Sequence, residues 1–334
     1  MRDLEALLPT VFGAVDLRRH GVGRSATRHR LAERHWVRVS HGLFAVADSW
    51  ATTAHGERLA ASGLAQQRNY HRDKALSHLS AAAVHGLALP RDAGRATWMT
   101  VQEGGNRPRR TGSVIIERAA LKARDVVAPP DAVTACPAGY VGAVTSLART
   151  VSDCARHLSV PDAVAIADSA ARLYPRIQSQ LPEVLGRQQT WPGARRARTT
   201  YRLLDARRET WLESYSVAAL HLAGVPVPEP QVRLYDARGV FVARVDLLWH
   251  EWGVVGEADG FAKYAEGRTI DDAVRSVVAE KVREDRIRDL GLEVVRWTAL
   301  DIIHSLPSVI HRLDAARRRG AGSRFSGTAA STAA

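Results

Sequence analysis

The sequence predicts an α/β protein of several domains, with an N-terminal winged helix-turn-helix, a mixed middle domain and a C-terminal mixed sheet flanked by helices. Its 334 residues exceed one typical domain. Hydrophobic residues make up 46% of the chain and charged residues 25%, which is typical of a folded protein. The last third alternates helical and strand patterns in the order α, β, β, β, α, β, α, an order that indicates a mixed sheet with helices on its faces.

Residues 1–50 carry the winged-helix pattern. A short helix ends near Gly21, and a second runs from about Ser25, a residue type that caps helices, to Glu33. The runs "WVRVS" and "LFAVA", separated by "HG", then predict a β-hairpin. Helix, turn, helix and hairpin in that order describe a winged helix.

The net charge of +12 favours an anionic partner, with nucleic acid as the first candidate and an acidic membrane surface as the second. Residues 17–42 concentrate this charge, because their arginines are opposed by the single acid Glu33. A basic second helix can enter a DNA major groove while the hairpin rests on phosphates. A solvated basic face is the alternative. The candidate DNA-contacting residues are Arg24, Ser25, Arg28, Arg30, Arg38 and His41.

Residues 51–175 predict a mixed α+β domain. Helices are expected around "HRDKALSHLSAAAVHGLALP" and across "SLARTVSDCARHLSVPDAVAIADSAARL", and strands at "ATWMTVQ" and "GSVIIERA". Arg149 and Asp153 are four residues apart on the second of these helices, a spacing that predicts a structural ion pair.

Two segments are expected to lie outside the folded domains. Residues 176–206 are polar and carry a cluster of arginines, which predicts a linker or lid that could contain a short helix. Residues 316–334 have little to bury and predict a disordered tail. The charged N-terminus and the lack of any apolar run near 20 residues predict a cytoplasmic protein without a membrane partner. Cys136 and Cys154 are too few for a disulfide framework or a cysteine zinc site, so buried thiols are expected.

The C-terminal elements contain the acids that point to chemistry. Period two in "FVARVDLLW" places Val245 and Leu247 on one face and Asp246 on the other, and in "VVGEAD" it places Glu257 and Asp259 on the same side. If these strands are neighbours, three carboxylates converge, and converging carboxylates need a cation or a shared proton. Such oxygen ligands suit Mg²⁺, which can polarise a phosphodiester. Solvated strand-end acids are the alternative.

Three further residues are candidates for the same site. Glu213, on the helix before the sheet, could bind metal or orient water. Lys281 continues an apolar stripe at helical spacing and is expected to point toward the sheet, while Lys263 lies in a loop. Either lysine could stabilise developing negative charge on a phosphate.

These motifs carry two family resemblances. The strings "ETWLESYSVAALHLAGVPVPEPQV", "RVDLLW", "GVVGEADGFAKY" and "KVREDRIRDLGLEVVRWT" resemble the very-short-patch-repair (Vsr-like) endonuclease domain of the PD-(D/E)XK restriction-endonuclease-like superfamily. The string "DLRRHGVGRSATRHRLAERHWVRVSHGLFAVAD" is similar to the winged helix of AbiEi-type antitoxins of type IV toxin–antitoxin systems. "ALSHLSAAAVHGL" and "TSLARTVSDCAR" are similar to the segment that follows it in those proteins.

The Vsr-like resemblance implies a restriction-endonuclease-like domain at residues 207–315. It implies that Asp246 is the superfamily's strand aspartate, Glu257 its second acid and Glu213 the acid of the first helix. Asp259 stands where the wider superfamily commonly has lysine, although Vsr-like relatives often have E-x-D-G at this point. The lysine role therefore stays open between Lys263 and Lys281.

Two functions follow as expectations. One is a Mg²⁺-dependent DNA endonuclease that the winged helix delivers to DNA. The other is a non-catalytic, antitoxin-type transcriptional regulator, for which the partners would be operator DNA and a cognate toxin. Cleavage of DNA distinguishes them, whereas a steep dependence of affinity on salt is expected of both.

Overall fold

The chain folds into two units that together contain three β-sheets among the described residues, which confirms the predicted α/β class. The first unit comprises residues 1–158 and 176–197, and the second comprises residues 159–175 and 198–334. The structure is a computed structural model that describes residues 2–71, 73–104, 108–130, 142–259, 270–320 and 325–331. Within these ranges, none of the helices combines the length and apolar character that crossing a membrane requires.

The first unit begins with the predicted helix-turn-helix and hairpin. Its three-stranded antiparallel sheet has the order β1-β3-β2 and packs around Phe12, Leu17, Trp36 and Phe44. The second helix starts after Gly23, which has an extended backbone, so the prediction that Ser25 caps it is wrong. The elements are α1 (Arg2–Leu7), β1 (Phe12–Gly13), α2 (Ala14–Arg19), α3 (Arg24–Ala32), β2 (Trp36–Ser40), β3 (Leu43–Val46) and α4 (Ala47–Thr52).

Helix α5 (His55–Tyr70) joins this region to the rest of the first unit. The Arg68 guanidinium of α5 bonds both carboxylate oxygens of Asp16 in α2, at 2.7 and 3.0 Å, and both side chains are fully buried. This pair joins the predicted winged helix to the following helix, and both lie in the first unit.

The remainder of the first unit is built on a mixed sheet of order β6-β7-β5-β4-β9-β8. The predicted ion pair on the helix Leu147–His157 is confirmed, because Arg149 Nε lies 2.8 Å from Asp153 Oδ2 and both side chains are buried. Cys154 is buried as predicted, and Cys136 lies outside the described residues. The elements are β4 (Ala75–Leu76), α6 (His78–Val84), β5 (Thr97–Val101), β6 (Arg109–Arg110), β7 (Val114–Arg118), β8 (Val126–Val127), β9 (Val144–Thr145) and α7 (Leu147–His157).

The long helix expected after residue 146 is two helices, α7 and α8 (Val160–Leu173). Ser159 separates them and caps α8 by accepting a hydrogen bond from the backbone N–H of Asp162. The segment 176–206 differs from the predicted linker, since it forms α9 (Ile177–Arg187) and α10 (Ala194–Leu203). The buried residues Ile177, Leu181 and Val184 recur at helical spacing, which explains why this polar segment is folded.

The second unit has the predicted order of elements around a sheet of order β13-β12-β11-β10-β14. β12 and β13 are parallel, and the other neighbouring strands are antiparallel. One apolar core contains Trp249, Trp297 and residues of α11, α13 and α14, and another contains Val245, Val255 and Ile287 of α12. The elements are α11 (Trp211–Leu222), β10 (Glu229–Tyr235), β11 (Phe241–Trp249), β12 (Val254–Asp259), α12 (Ile270–Asp289), β13 (Glu293–Thr298), α13 (Ala299–His304), α14 (Leu306–Gly320) and β14 (Thr328–Ser331).

Two details of this sheet differ from expectation or constrain it. Residues 328–331, within the predicted disordered tail, form the strand β14 because they satisfy the edge of β10 with backbone hydrogen bonds. Gly256 of β12 lies against the two tryptophans, since a Cβ there would be 2.6 Å from Trp297 and 2.9 Å from Trp249. The glycine therefore lets the strand approach this core closely.

Candidate functional site

Two of the predicted acids lie side by side on neighbouring strands of the second unit. β11 and β12 are antiparallel neighbours, and Leu247 of β11 lies opposite Gly256 of β12. The next residue on each strand is therefore Asp246 opposite Glu257. Asp246 Oδ2 accepts a hydrogen bond of 3.0 Å from the backbone N–H of Ala258. This contact fixes the aspartate across the two strands and beside the glutamate.

Glu257 is held in an environment that opposes its negative charge. Its side chain is 8% exposed. Burial and the neighbouring charge of Asp246 raise the pKa of the Glu257 carboxyl to about 7, although Arg283 and Arg296 act in the opposite direction. Two adjacent carboxylates of this kind are relieved by a proton or by a cation that both can share.

The strand opposite Asp246 is strained. Gln231 lies between the pairs Pro230–Leu247 and Val232–Val245, and its φ of 55° is in the left-handed region that non-glycine residues rarely adopt. Side chains change sides at this irregularity, so the prediction that Val245 and Leu247 share a face is wrong and the two contribute to different cores. Strained backbone of this kind clusters at functional sites, and no local sequence pattern revealed it.

Glu213 is buried and fully engaged in hydrogen bonds at the start of α11. Its carboxylate accepts from the backbone N–H of Glu209 at 3.0 Å, from the Thr210 hydroxyl at 2.7 Å and from Gln231 Nε2 at 2.9 Å. The predicted first-helix acid therefore stabilises the helix N-terminus and also holds the strained residue that faces Asp246.

The positive charge beside Glu257 comes from Arg283, a residue that was not predicted from the sequence. Arg283 of α12 donates to Glu257 Oε1 at 2.9 Å, to Glu280 Oε1 at 2.8 Å and to the backbone oxygen of Arg244 at 2.8 Å. Its guanidinium thus joins α12 to both acid-bearing strands. The signal in the sequence was the spacing between Arg283 and Ile287, which places both on the sheet side of one helix.

Asp259 is bound to a different arginine. Its carboxylate lies 3.5 Å from Arg296, which also pairs with Glu280 and Glu284 of α12. Glu280 contacts both Arg283 and Arg296, so the third acid is connected to the first two through a network of ion pairs. The structure brings Asp246 and Glu257 together and leaves Asp259 half-buried nearby on β12.

Of the two predicted lysines, the structure describes only Lys281, and it does not place Lys281 at this site. Lys281 is exposed, and the prediction that it points toward the sheet is wrong. Successive residues rotate by about 100° around a helix, so the side of α12 that carries Ile287 and Arg283 excludes Lys281. Lys263 lies outside the described residues.

In the first unit, α3 is the exposed basic helix that the sequence predicts. Each of its residues is exposed or half-buried, and Arg24, Ser25 and Arg28 are exposed. Arg38 on β2 and His41 at the hairpin turn are exposed as well. A nine-residue helix that leaves its whole length accessible is suited to insertion into a groove.

Arg30 differs from the other predicted DNA contacts. Its guanidinium lies 3.3 Å from Glu5 and 5.0 Å from the centre of the Trp36 ring. This ion pair and cation–π contact hold Arg30 against the apolar core that contains Phe12 and Trp36. Its charge is consequently less available to a phosphate than those of Arg24 and Arg28.

Comparison with known proteins gives no assignment: no model of a known protein family matches the sequence, and no curated protein is detectably similar to it. The chemistry of the two candidate sites is therefore the basis for assigning a function.

Proposed function

We propose that the second unit is a Mg²⁺-dependent DNA endonuclease domain and that α3 of the first unit binds DNA. The observation that carries the proposal is the adjacency of Asp246 and Glu257, with the pKa of buried Glu257 raised to about 7. A buried acid beside a second acid destabilises the fold unless a cation compensates it. A divalent cation relieves this repulsion most effectively when it contacts both carboxylates.

The donor set fits Mg²⁺, which takes one or two carboxylates and completes its shell with water and phosphate oxygens. Asp246 and Glu257 would hold the ion, with Asp259 as a third carboxylate. When bound, Mg²⁺ would polarise a scissile phosphodiester and acidify a water molecule. Glu213 would act by holding Gln231, and thereby the strand that faces Asp246.

Arg283 takes the role that the sequence left open between Lys263 and Lys281. Its guanidinium is already beside Glu257, and a planar group with several N–H donors can bind a phosphate through two oxygens. A metal at the acids would compete with the guanidinium for Glu257, which would free donors of Arg283 for the substrate. Arg283 would then stabilise the negative charge that develops on phosphorus.

The exposed α3 helix would supply most of the affinity for DNA. Arg24 and Arg28 are placed to contact phosphates or base edges, with Arg38 and His41 on the adjoining hairpin. A nuclease acting on the cell's own or foreign DNA would be expected in the cytoplasm.

The test is a plasmid-nicking assay with the full chain in Mg²⁺ or Mn²⁺. Wild-type protein and the control Glu251→Gln, an exposed acid just beyond β11, should nick the plasmid. Asp246→Asn and Glu257→Gln should lose nicking but retain DNA binding, because neither residue lies in α3. Cleavage by Asp246→Asn at the wild-type rate would refute the assignment.

A second function is favoured by the ion pairs themselves. Arg283 already pairs with Glu257 and Arg296 with Asp259, so the chain's own cations offset part of the negative charge at the site. Such an arrangement suits a non-catalytic, antitoxin-type regulator that binds operator DNA and a cognate toxin. DNA binding that requires Arg24 and Arg28, with no cleavage in either metal, would support this function instead.

A further inference from the structure

Two histidines and a glutamate of the first unit converge, and none of them belongs to α3 or to the hairpin. His78 begins α6, Glu117 lies on β7 and His157 ends α7. Glu117 Oε2 lies 3.7 Å from His78 Nε2 and 3.1 Å from His157 Nε2, and His78 Nε2 lies 3.1 Å from His157 Nδ1. One ligand atom from each residue falls within 4.8 Å of the others, which is the spacing of ligands around a single ion.

Hydrogen bonds on the far side of both rings orient them. His157 Nδ1 is 3.0 Å from the backbone oxygen of Asp153, which can only accept, so this nitrogen carries the proton. His78 Nδ1 is 2.9 Å from the Ser77 hydroxyl, which can accept a proton in the same way. The Nε2 atom of His157 then faces Glu117 Oε2 at 3.1 Å, while His78 Nε2 lies 3.1 Å from the protonated Nδ1 of His157 and 3.7 Å from Glu117 Oε2. Metal-binding histidines typically have this arrangement, with the second nitrogen bonded to a carbonyl or hydroxyl.

Local packing also fixes the position of His78. Its φ of 50° is in the left-handed region, its side chain is buried, and the Trp98 ring packs against it with the ring centres 4.6 Å apart. A backbone conformation that is unfavourable for a non-glycine residue persists only where the surroundings impose it, and such residues cluster at functional sites.

The cluster is open to solvent on one side. The side chains of Glu117 and His157 are 32% and 27% exposed, which leaves room for water or another ligand. Arg156, the nearest cation on α7, directs its guanidinium to Asp153 and to the backbone oxygen of Pro192. Two imidazole nitrogens and one carboxylate with an open position form a donor set that prefers Zn²⁺ to Mg²⁺ or Ca²⁺.

We propose that His78, Glu117 and His157 form a transition-metal site that binds Zn²⁺ and ties α6, β7 and α7 together. The site is independent of the proposed nuclease, because its ligands belong to the first unit and its donor chemistry differs from that of the acids in the second. Without metal, the same three residues would form only the contacts among His78, His157 and Glu117 described above.

Calorimetric titration of the metal-free full chain with ZnCl₂ tests the site. Wild-type protein and His55→Gln, which removes an exposed histidine of the same unit, should bind Zn²⁺ with the same affinity and show the same rise in melting temperature. Glu117→Gln and His157→Gln, each altering a partly exposed side chain, should weaken binding by at least about tenfold and lose that rise. Co²⁺ should give the visible absorption of a four-coordinate site in wild-type protein and in His55→Gln, and not in Glu117→Gln or His157→Gln.

Two results would overturn the proposal. One is an absence of saturable Zn²⁺ binding to the wild-type chain. The other is equal Zn²⁺ affinity in wild-type protein, Glu117→Gln and His157→Gln, which would show that the cluster is only an ion pair. Because the readouts are Zn²⁺ affinity and melting temperature, neither depends on whether the protein cleaves DNA.

Discussion

Replacing Glu257 by Gln is expected to stabilise the protein, and to do so far more at about pH 8 than at about pH 5. Burial and the charge of Asp246 raise the pKa of this carboxyl from 4.5 to about 7. The folded state therefore retains the proton between these two values while the unfolded state releases it. Stability falls as the pH rises through this window, and above about pH 7 the folded protein carries the full penalty of a buried charge.

The size of that penalty follows from the two pKa values. Each tenfold difference in proton affinity is worth about 1.4 kcal/mol, so a pKa of about 7 against 4.5 corresponds to about 3 kcal/mol. Glutamine removes the charge and keeps an oxygen that can accept the 2.9 Å hydrogen bond from Arg283. Most of the 3 kcal/mol should therefore be recovered as added stability at about pH 8.

Urea unfolding followed by tryptophan fluorescence measures the effect. The stability gap, which is the free energy of unfolding of Glu257→Gln minus that of wild-type protein, should increase by about 2.5 kcal/mol from about pH 5 to about pH 8. The corresponding difference for Glu251→Gln should not change with pH. Mg²⁺ should narrow the gap at the higher pH, because an ion bound to the acids offsets the charge of Glu257. A gap of equal size at both pH values would refute the reasoning.

Three other changes test different parts of the structure. Arg68→Met leaves buried Asp16 without its partner and should lower the free energy of unfolding by about 3–5 kcal/mol, as measured with urea. Arg28→Ala should weaken binding to all DNA sequences to a similar extent and reduce the slope of log affinity against log salt concentration by about one. Fluorescence anisotropy measures both effects, and an unchanged slope would contradict a phosphate contact. Arg283→Met should raise the pKa of Glu257 above 7 and shift the pH window of destabilisation upward, and a window that stays in place would contradict the pairing.

The elements that sequence patterns predicted well are those whose signal is local. In the second unit, the order from α11 to α13 follows from apolar spacing and from glycines at helix ends, and each element appears in the structure. Asp246 and Glu257 were identified because each acid interrupts an apolar run, and the structure places them on neighbouring strands.

The features that escaped prediction depend on contacts between distant segments. The role of Arg283 depends on how α12 is rotated against the sheet. The apolar stripe that Lys281 continues predicted a different rotation, with Lys281 toward the sheet. β14 forms because it pairs with the edge strand β10. The composition of residues 328–331 gives no sign that such an edge is available. His78 and His157 meet although 79 positions separate them.

Gly256 has no side chain, yet it helps to fix the position of the acidic pair Asp246 and Glu257. Its backbone lies against Trp249 and Trp297, and a methyl group there would overlap both rings. Replacing Gly256 by alanine would push β12 away from this core. Glu257, the next residue, would then no longer lie directly beside Asp246. A substitution during evolution at Gly256, Trp249 or Trp297 is therefore expected to alter the site as much as a substitution of one of the two acids.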